Sequence, residues 1–328
     1  VLSRIVRWFL VATLAGLIAG VSAHLRDMNR AYRRVRARGT VLPWQHGRIE
    51  YTEGGSGHDV LVAHGAGGGY DQGELIAEAV LGDEFHWITP SRFGYLRSTL
   101  AENATWDDQA HAYAYLLDHL GVQRAAVVAM SQGGPSALLF ALLYPERVSS
   151  LTLISCGVAT STGEGQATAN EKGEMLKEIF RYNFLYWAIA RLFRKQLLGL
   201  IGANTAVMAG LTPEQRRYAE RIIDDMNPAA LRSAGVAFDN RATMPGDRIA
   251  AIRAPTLIFH AQDDTLQLYH NAQFAAATIP GAKLVCYERG GHLLIAVEQP
   301  AIRQLLREHI LSHVRELPLQ GYGGGTPA

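Results

Sequence analysis

Residues 124–144 read RAAVVAMSQGGPSALLFALLY. Arg124–Ala129 is a short apolar run suited to a buried strand, and Gly133–Tyr144 is an apolar helix stopped by Pro145. Between them lies Ala129-Met130-Ser131-Gln132-Gly133-Gly134. A tight strand-to-helix turn crowds the backbone, so it needs small side chains two residues before and two after its apex. Ala129 and Gly133 meet that need; Gly is commoner at the first place, but a methyl still fits. Such a turn pushes Ser131 Oγ out above the sheet at a helix N-terminus, where partial positive charge favours a developing anion. Taken alone, the same segment also describes a solvent-facing Ser in a helix cap.

Working outward, strands and helices alternate. Strands are expected at 48–53, 59–63, 85–89, 149–155, 255–260 and 283–286. Helices are expected at 105–120, with Thr105 and Asp108 as an N-cap pair, and at 301–314. This alternation implies an α/β fold, a mostly parallel sheet with helices on both faces. About a hundred residues between the fourth and fifth of these strands break the pattern. They read as helices at 171–200, 212–225 and 228–238, and Thr212-Pro213-Glu214-Gln215 carries a capping-box start. A structureless loop of that length is improbable, so an inserted helical cap is expected. Within it, Phe184–Ala190 (FLYWAIA) reads either as packing against the sheet domain or as the wall of an apolar pocket.

Composition narrows the function classes. The chain has 328 residues, 48% hydrophobic and 19% charged, which excludes global disorder. The net charge of +1 gives no reason to expect a nucleic-acid partner. The two cysteines, Cys156 and Cys286, form no C-x-x-C pair. His309 and His313 lie four apart, but Ile310 stands where a zinc-protease helix has Glu, so a solvated helix face is expected and no metal site.

Two more signals carry chemistry. His64-Gly65-Ala66-Gly67-Gly68-Gly69 follows a buried strand, and its glycines let backbone N–H groups turn toward a ligand oxygen. Tyr70 stands at the third place of a dinucleotide fingerprint and no Gly-Lys-Ser/Thr follows, so no nucleotide cofactor is expected. Late in the chain, His260-Ala261-Gln262-Asp263-Asp264 follows one strand and Gly290-Gly291-His292 the next. A Ser hydroxyl needs an imidazole to take its proton, and the imidazole needs a carboxylate to fix its tautomer. Ser131, Asp264 and His292 occur in the chain order of that relay on a parallel sheet.

With these residues the chain resembles the α/β-hydrolase fold superfamily over roughly residues 48–314. The resemblance implies Ser131 as nucleophile, His292 as base and Asp264 as its orienting acid. Asp263 is the runner-up acid, because Ala261 replaces the Gly usual after that strand. It also implies the backbone N–H groups of Ala66 and Gln132 as oxyanion donors, and Ser91–Ser98 as a loop lining the site entrance. The implied activity is serine-hydrolase cleavage of a small-molecule carboxylic ester with an apolar part, through an acyl-enzyme and without cofactor. Lactone opening or C–C cleavage of a ketone by the same triad is the alternative, and a non-catalytic membrane-tethered binder is a third reading.

Trp8–Ala23 is free of charge and close to membrane-spanning length, with arginines on both flanks. The readings are a single-pass anchor, a signal peptide cleaved after Val21-Ser22-Ala23, which would leave a secreted or periplasmic protein, or a buried amphipathic arm. The arginines after Ala23 place the catalytic domain on the cytoplasmic side, whereas the signal-like start places it outside. The expected organisation is 1–39 as hydrophobic anchor or signal with a basic linker, 40–156 with 254–316 as core, 157–253 as cap, and 317–328 as a flexible tail.

Overall fold

A computed structural model describes residues 2–159, 165–203 and 205–314; the expected tail at 317–328 lies outside them. The apolar runs form the middle of one eight-stranded sheet. Its strands are β1 (Thr40–Trp44), β2 (Gly47–Gly54), β3 (His58–Ala63), β4 (Phe85–Pro90), β5 (Ala125–Met130), β6 (Val148–Ile154), β7 (Thr256–Ala261) and β8 (Lys283–Tyr287). They are ordered β1-β2-β4-β3-β5-β6-β7-β8. β2 pairs antiparallel with β1 and β4, and every other pairing is parallel. β5, β6 and β7 are buried at every position, as strands covered on both faces must be.

The helices are α1 (Leu2–Ala37), α2 (Tyr70–Val80), α3 (Trp106–His119), α4 (Gly134–Leu143), α5 (Gln166–Phe180), α6 (Asn183–Leu192), α7 (Arg194–Leu200), α8 (Thr205–Gly210), α9 (Pro213–Asp225), α10 (Ser233–Arg241), α11 (His270–Thr278), α12 (Leu294–Val297) and α13 (Gln299–Val314). Successive strand residues point to opposite faces, so Val60 and Val62 pack with α2, α12 and α13, while Leu61 and Ala63 pack with α3, α4 and α11. α5 to α10 lie between β6 and β7 and form the helical insertion. Its apolar cluster includes Phe180, Tyr186, Leu197, Ile223 and Val236 and closes on Leu75 and Leu293 of the sheet domain.

Thr105 and Thr212 cap α3 and α9 with complete capping boxes. Other elements differ from the sequence reading. The single helix expected over 171–200 is three, α5, α6 and α7, broken at Tyr182 and Phe193, where the backbone leaves helical geometry. The breaks re-aim the chain so that Phe180, Tyr186 and Leu197 all turn into one cluster. His309 is half-buried rather than solvated; its Nε2 sits 3.2 Å from Pro255 O, and burial lowers its pKa to about 4. Residues 24–37, read as a basic linker, are the second half of α1. Met28, Ala31 and Val35 form a buried stripe at helical spacing on that half. The first half is exposed, and Arg4–Ala37 contains a window of mean hydropathy 1.9 that is long and apolar enough to cross a membrane. That window is 0% buried, which overturns the buried-arm reading.

Candidate active site

β5 ends at Met130 and the chain turns through one 3₁₀ turn, Ser131–Gly133, into α4. Ser131 has φ +54°, a left-handed conformation that a side-chain-bearing residue adopts at a cost of about 1–2 kcal/mol. The crowding around this turn is measurable. A Cβ on Gly133 would lie 2.2 Å from Ala63 O, and one on Gly134 would lie 2.7 Å from Cys156 Cβ. Cys156 is a free, buried thiol whose pKa burial pushes up to about 12.

The loops after β7 and β8 bring the other two residues to Ser131. His292 Nε2 lies 2.9 Å from Ser131 Oγ, and His292 Nδ1 lies 2.8 Å from Asp264 Oδ2. Asp264 Oδ1 accepts the backbone N–H groups of Leu266 (2.8 Å) and Gln267 (3.0 Å), which pins the carboxylate. With Asp264 an acceptor on the Nδ1 side, the neutral ring carries its proton on Nδ1 and presents Nε2 as acceptor to Ser131. All three side chains are buried. The neighbouring Asp263 instead accepts Gly291 N–H at 2.7 Å and ties down the backbone just before His292. The insertion contributes as well: His292 N–H donates to Gly202 O at 3.2 Å.

In the loop after β3, Gly65 N–H donates to Gln72 Oε1 (2.8 Å), Gly67 N–H to Tyr95 Oη (3.4 Å) and Gly68 N–H to Gly65 O (3.3 Å). Among the described residues, none accepts from Ala66 N–H, and Ala66 lines the space beside Ser131. Gln132 follows Ser131 directly at the start of the turn. His64 is buried and held neutral, its pKa driven well below the ordinary value by desolvation and by the Arg92 guanidinium. Its Nε2 accepts Arg92 N–H at 2.9 Å, so Nδ1 carries the proton and donates to Gly65 O at 2.7 Å.

Arg92 and Tyr95 do not line the entrance, as the resemblance had implied; both are fully buried beneath the site. Arg92 Nε donates to His64 O (2.8 Å), and its two terminal nitrogens clasp Asp239 of α10 at 2.8 Å each. Tyr95 Oη donates to Asp239 Oδ2 at 2.6 Å. The insertion is thereby bonded to the backbone of the loop beside Ser131. A second junction was also unread in the sequence. Asp71, at the start of α2, pairs with Arg232 of the insertion (2.8 Å) and with Arg34 of α1. Arg232 in turn donates to Gly68 O, and Arg34 Nη2 donates to the carbonyls of Asp225 and Asn227 at 2.7 Å each.

Two spaces meet at Ser131. One is an apolar cavity of about 60 Å³ walled by Met130, Leu176, Phe180, Ile222, Met226 and Val236. The other is a polar cleft of about 400 Å³, with Gln166, Asn170, Asn240 and Gln267 among its walls. Residues 184–190 border neither, so the pocket-wall reading of FLYWAIA fails: Tyr186 and Ala190 are core, while Phe184 and Leu185 face outward.

Residues 60–299 match the family model described as alpha/beta hydrolase fold. The chain belongs to this family. The uncharacterized hydrolase YcgS of Bacillus subtilis (strain 168) is 30% identical to this hydrolase over 264 residues, 77% of the chain and 91% of YcgS. A 2-hydroxy-6-oxo-6-phenylhexa-2,4-dienoate hydrolase of Burkholderia cepacia is 28% identical over 258 residues, 75% of the chain and 85% of that enzyme. A solved bacterial membrane phospholipase A superposes with TM-score 0.65 at 22% identity, covering 94% of this hydrolase and 97% of its own chain. That last likeness is one of fold.

Proposed function

We propose that this hydrolase cleaves neutral carboxylic esters through an acyl-enzyme on Ser131. The observation that carries the reading is the hydrogen-bonded relay Ser131–His292–Asp264 on a strained turn. Ser131 Oγ attacks the ester carbonyl carbon as His292 Nε2 takes its proton. The Ala66 and Gln132 N–H groups receive the oxyanion, and that no described residue accepts from Ala66 N–H supports that role. His292 then protonates the departing alcohol, and water, activated by the same imidazole, releases the acid. Residues 40–156 and 254–316 act as the catalytic core and 157–253 as the cap over it.

The two spaces beside Ser131 support an asymmetric substrate. An apolar cavity of about 60 Å³ holds roughly four or five water-sized volumes, room for a short acyl chain. The polar cleft suits the alcohol portion. A lactone is an ester and falls within the same reading. C–C cleavage of an oxodienoate is supported by the Burkholderia cepacia relative, but the spaces at Ser131 disfavour it. Among the described residues that line them there is no Lys or Arg to meet a dienoate carboxylate. A purely binding role is disfavoured because a binder has no need of the complete relay.

The exposed apolar half of α1 supports a membrane anchor. A panel of nitrophenyl esters of graded acyl length, with fluorophosphonate labelling of wild type and Ser131→Ala, tests the chemistry. Turnover and labelling should both vanish in Ser131→Ala. Labelling that persists there, or an oxodienoate cleaved faster than every ester, would overturn the assignment.

A further inference from the structure

We infer that the outer face of cap helix α6, with the break after it, is a membrane-docking surface that lies in the headgroup region of the bilayer that α1 enters. The inference rests on the reading of α1 as an anchor.

Cap helix α6 is apolar on two sides. Tyr186 and Ala190 are buried in the cap cluster, while Phe184, Leu185, Leu192 and Phe193 face outward, Leu192 at 72% exposure. A lone exposed Leu needs no explanation, but a row of aromatic and aliphatic side chains on one short element marks a contact surface.

The lipid surface is the occupant because α1 and α6 are joined at one level. His24 is the first residue after the uncharged stretch Trp8–Ala23. Its ring packs edge-on against Phe184 (5.2 Å) and Trp187 (5.1 Å). One turn further on, Asp27 accepts Trp187 Nε1–H at 2.9 Å and pairs with Arg191 at 3.1 Å, and Tyr32 Oη meets Asn183 at 3.0 Å. These bonds fix α6 beside the residues where α1 leaves the apolar layer, so it cannot be far from the interface when α1 is inserted. The chemistry there fits. Arg26, Arg30 and Arg33 are exposed on α1, and Arg191 and Lys195 flank Leu192 and Phe193. Aromatic rings and aliphatic tips ringed by cations suit the boundary between acyl chains and anionic headgroups.

The test uses the full chain with Cys286→Ser, which removes the exposed thiol; Cys156 is buried and unreactive. Single cysteines replace Leu14 in the apolar half of α1, Leu192 in the cap, or Gln123, just before the inner strand β5 and at the end of the sheet away from Ser131, all exposed positions. Each carries an environment-sensitive fluorophore. The protein is reconstituted in phosphatidylethanolamine–phosphatidylglycerol vesicles with and without nitroxide-labelled lipid. The Leu192→Cys and Leu14→Cys labels should each lose about half or more of their emission to the nitroxide, and the Gln123→Cys label should not respond. Quenching at position 14 with none at 192 would overturn the docking face and leave the anchor standing. Quenching at neither would overturn both. A signal at 192 that follows protein density but ignores the nitroxide would mark a contact between two copies, and would also overturn the inference.

Discussion

The charge on Asp71 should be felt at three places at once. Its carboxylate is buried, which alone raises a pKa, but Arg232 and Arg34 outweigh the burial and bring it from 3.8 down to about 2. A folded-state value below the unfolded one means stability that is complete above about pH 4 and is lost as the pH falls through about 2. The difference corresponds to about 2 kcal/mol at neutral pH. Asp71→Asn removes that contribution and also leaves Arg232, 1% exposed, without its carboxylate. Breaking a buried pair on one side costs about 3–5 kcal/mol. For a chain of this length that is a fall of roughly 5–8 °C in Tm. Melting curves of both proteins in nonionic detergent, from neutral pH down to about pH 2, measure it. The gap should be widest at neutral pH and narrow once wild-type Asp71 takes up its own proton. A deficit of the same size at every pH, or no deficit at neutral pH, would refute the electrostatic account. Arg34→Met, at a partner one-third exposed, should cost less and be non-additive with Asp71→Asn.

Three further outcomes follow from the site. Asp264→Asn should lower kcat on a nitrophenyl ester by about 10⁴-fold, because the ring loses its tautomer lock, whereas Asp263→Asn should be far milder; steady-state kinetics compares them. Phe180→Ala should open the apolar cavity and shift the preferred acyl chain toward longer esters, read as kcat/KM across the panel. Gly133→Ala should yield no folded protein by circular dichroism or gel filtration, since its Cβ would sit 2.2 Å from Ala63 O, a backbone atom that cannot step aside.

Ser131, His292 and the loop at His64 were legible because each is a local signature: small residues around a turn, or a polar cluster directly after an apolar run. The strands were legible for the same reason, since β3, β5, β6 and β7 are short apolar runs bounded by polar or turn residues. The supporting pairs were not. Arg92 and Asp239 lie 147 positions apart, and Asp71 and Arg232 lie 161 apart, so no window of sequence contains both partners. Arg92 was visible only as part of a loop that the resemblance placed at the site entrance, and a lone Arg carries no sign in the sequence that it will be buried. The docked half of α1 was hidden differently. Its stripe of Met28, Ala31 and Val35 is real, but arginines crowd the positions between, so composition suggested a linker. β1 escaped notice because it is an edge strand of five residues that contains Pro43, a residue such strands tolerate and inner ones do not.

The bond from His292 N–H to Gly202 O has a practical meaning for protein engineering. Insertions of this kind invite exchange between relatives as interchangeable specificity modules. Here the exchanged piece would carry away a carbonyl that seats the backbone of His292. A Cβ on Gly202 would also come within 2.5 Å of the His292 Cβ, so the graft tolerates only glycine at that point. A chimera that keeps the native turn around Gly202 and replaces only the helices before and after it should retain its chemistry, and one that replaces the turn as well should bind substrate without turning it over.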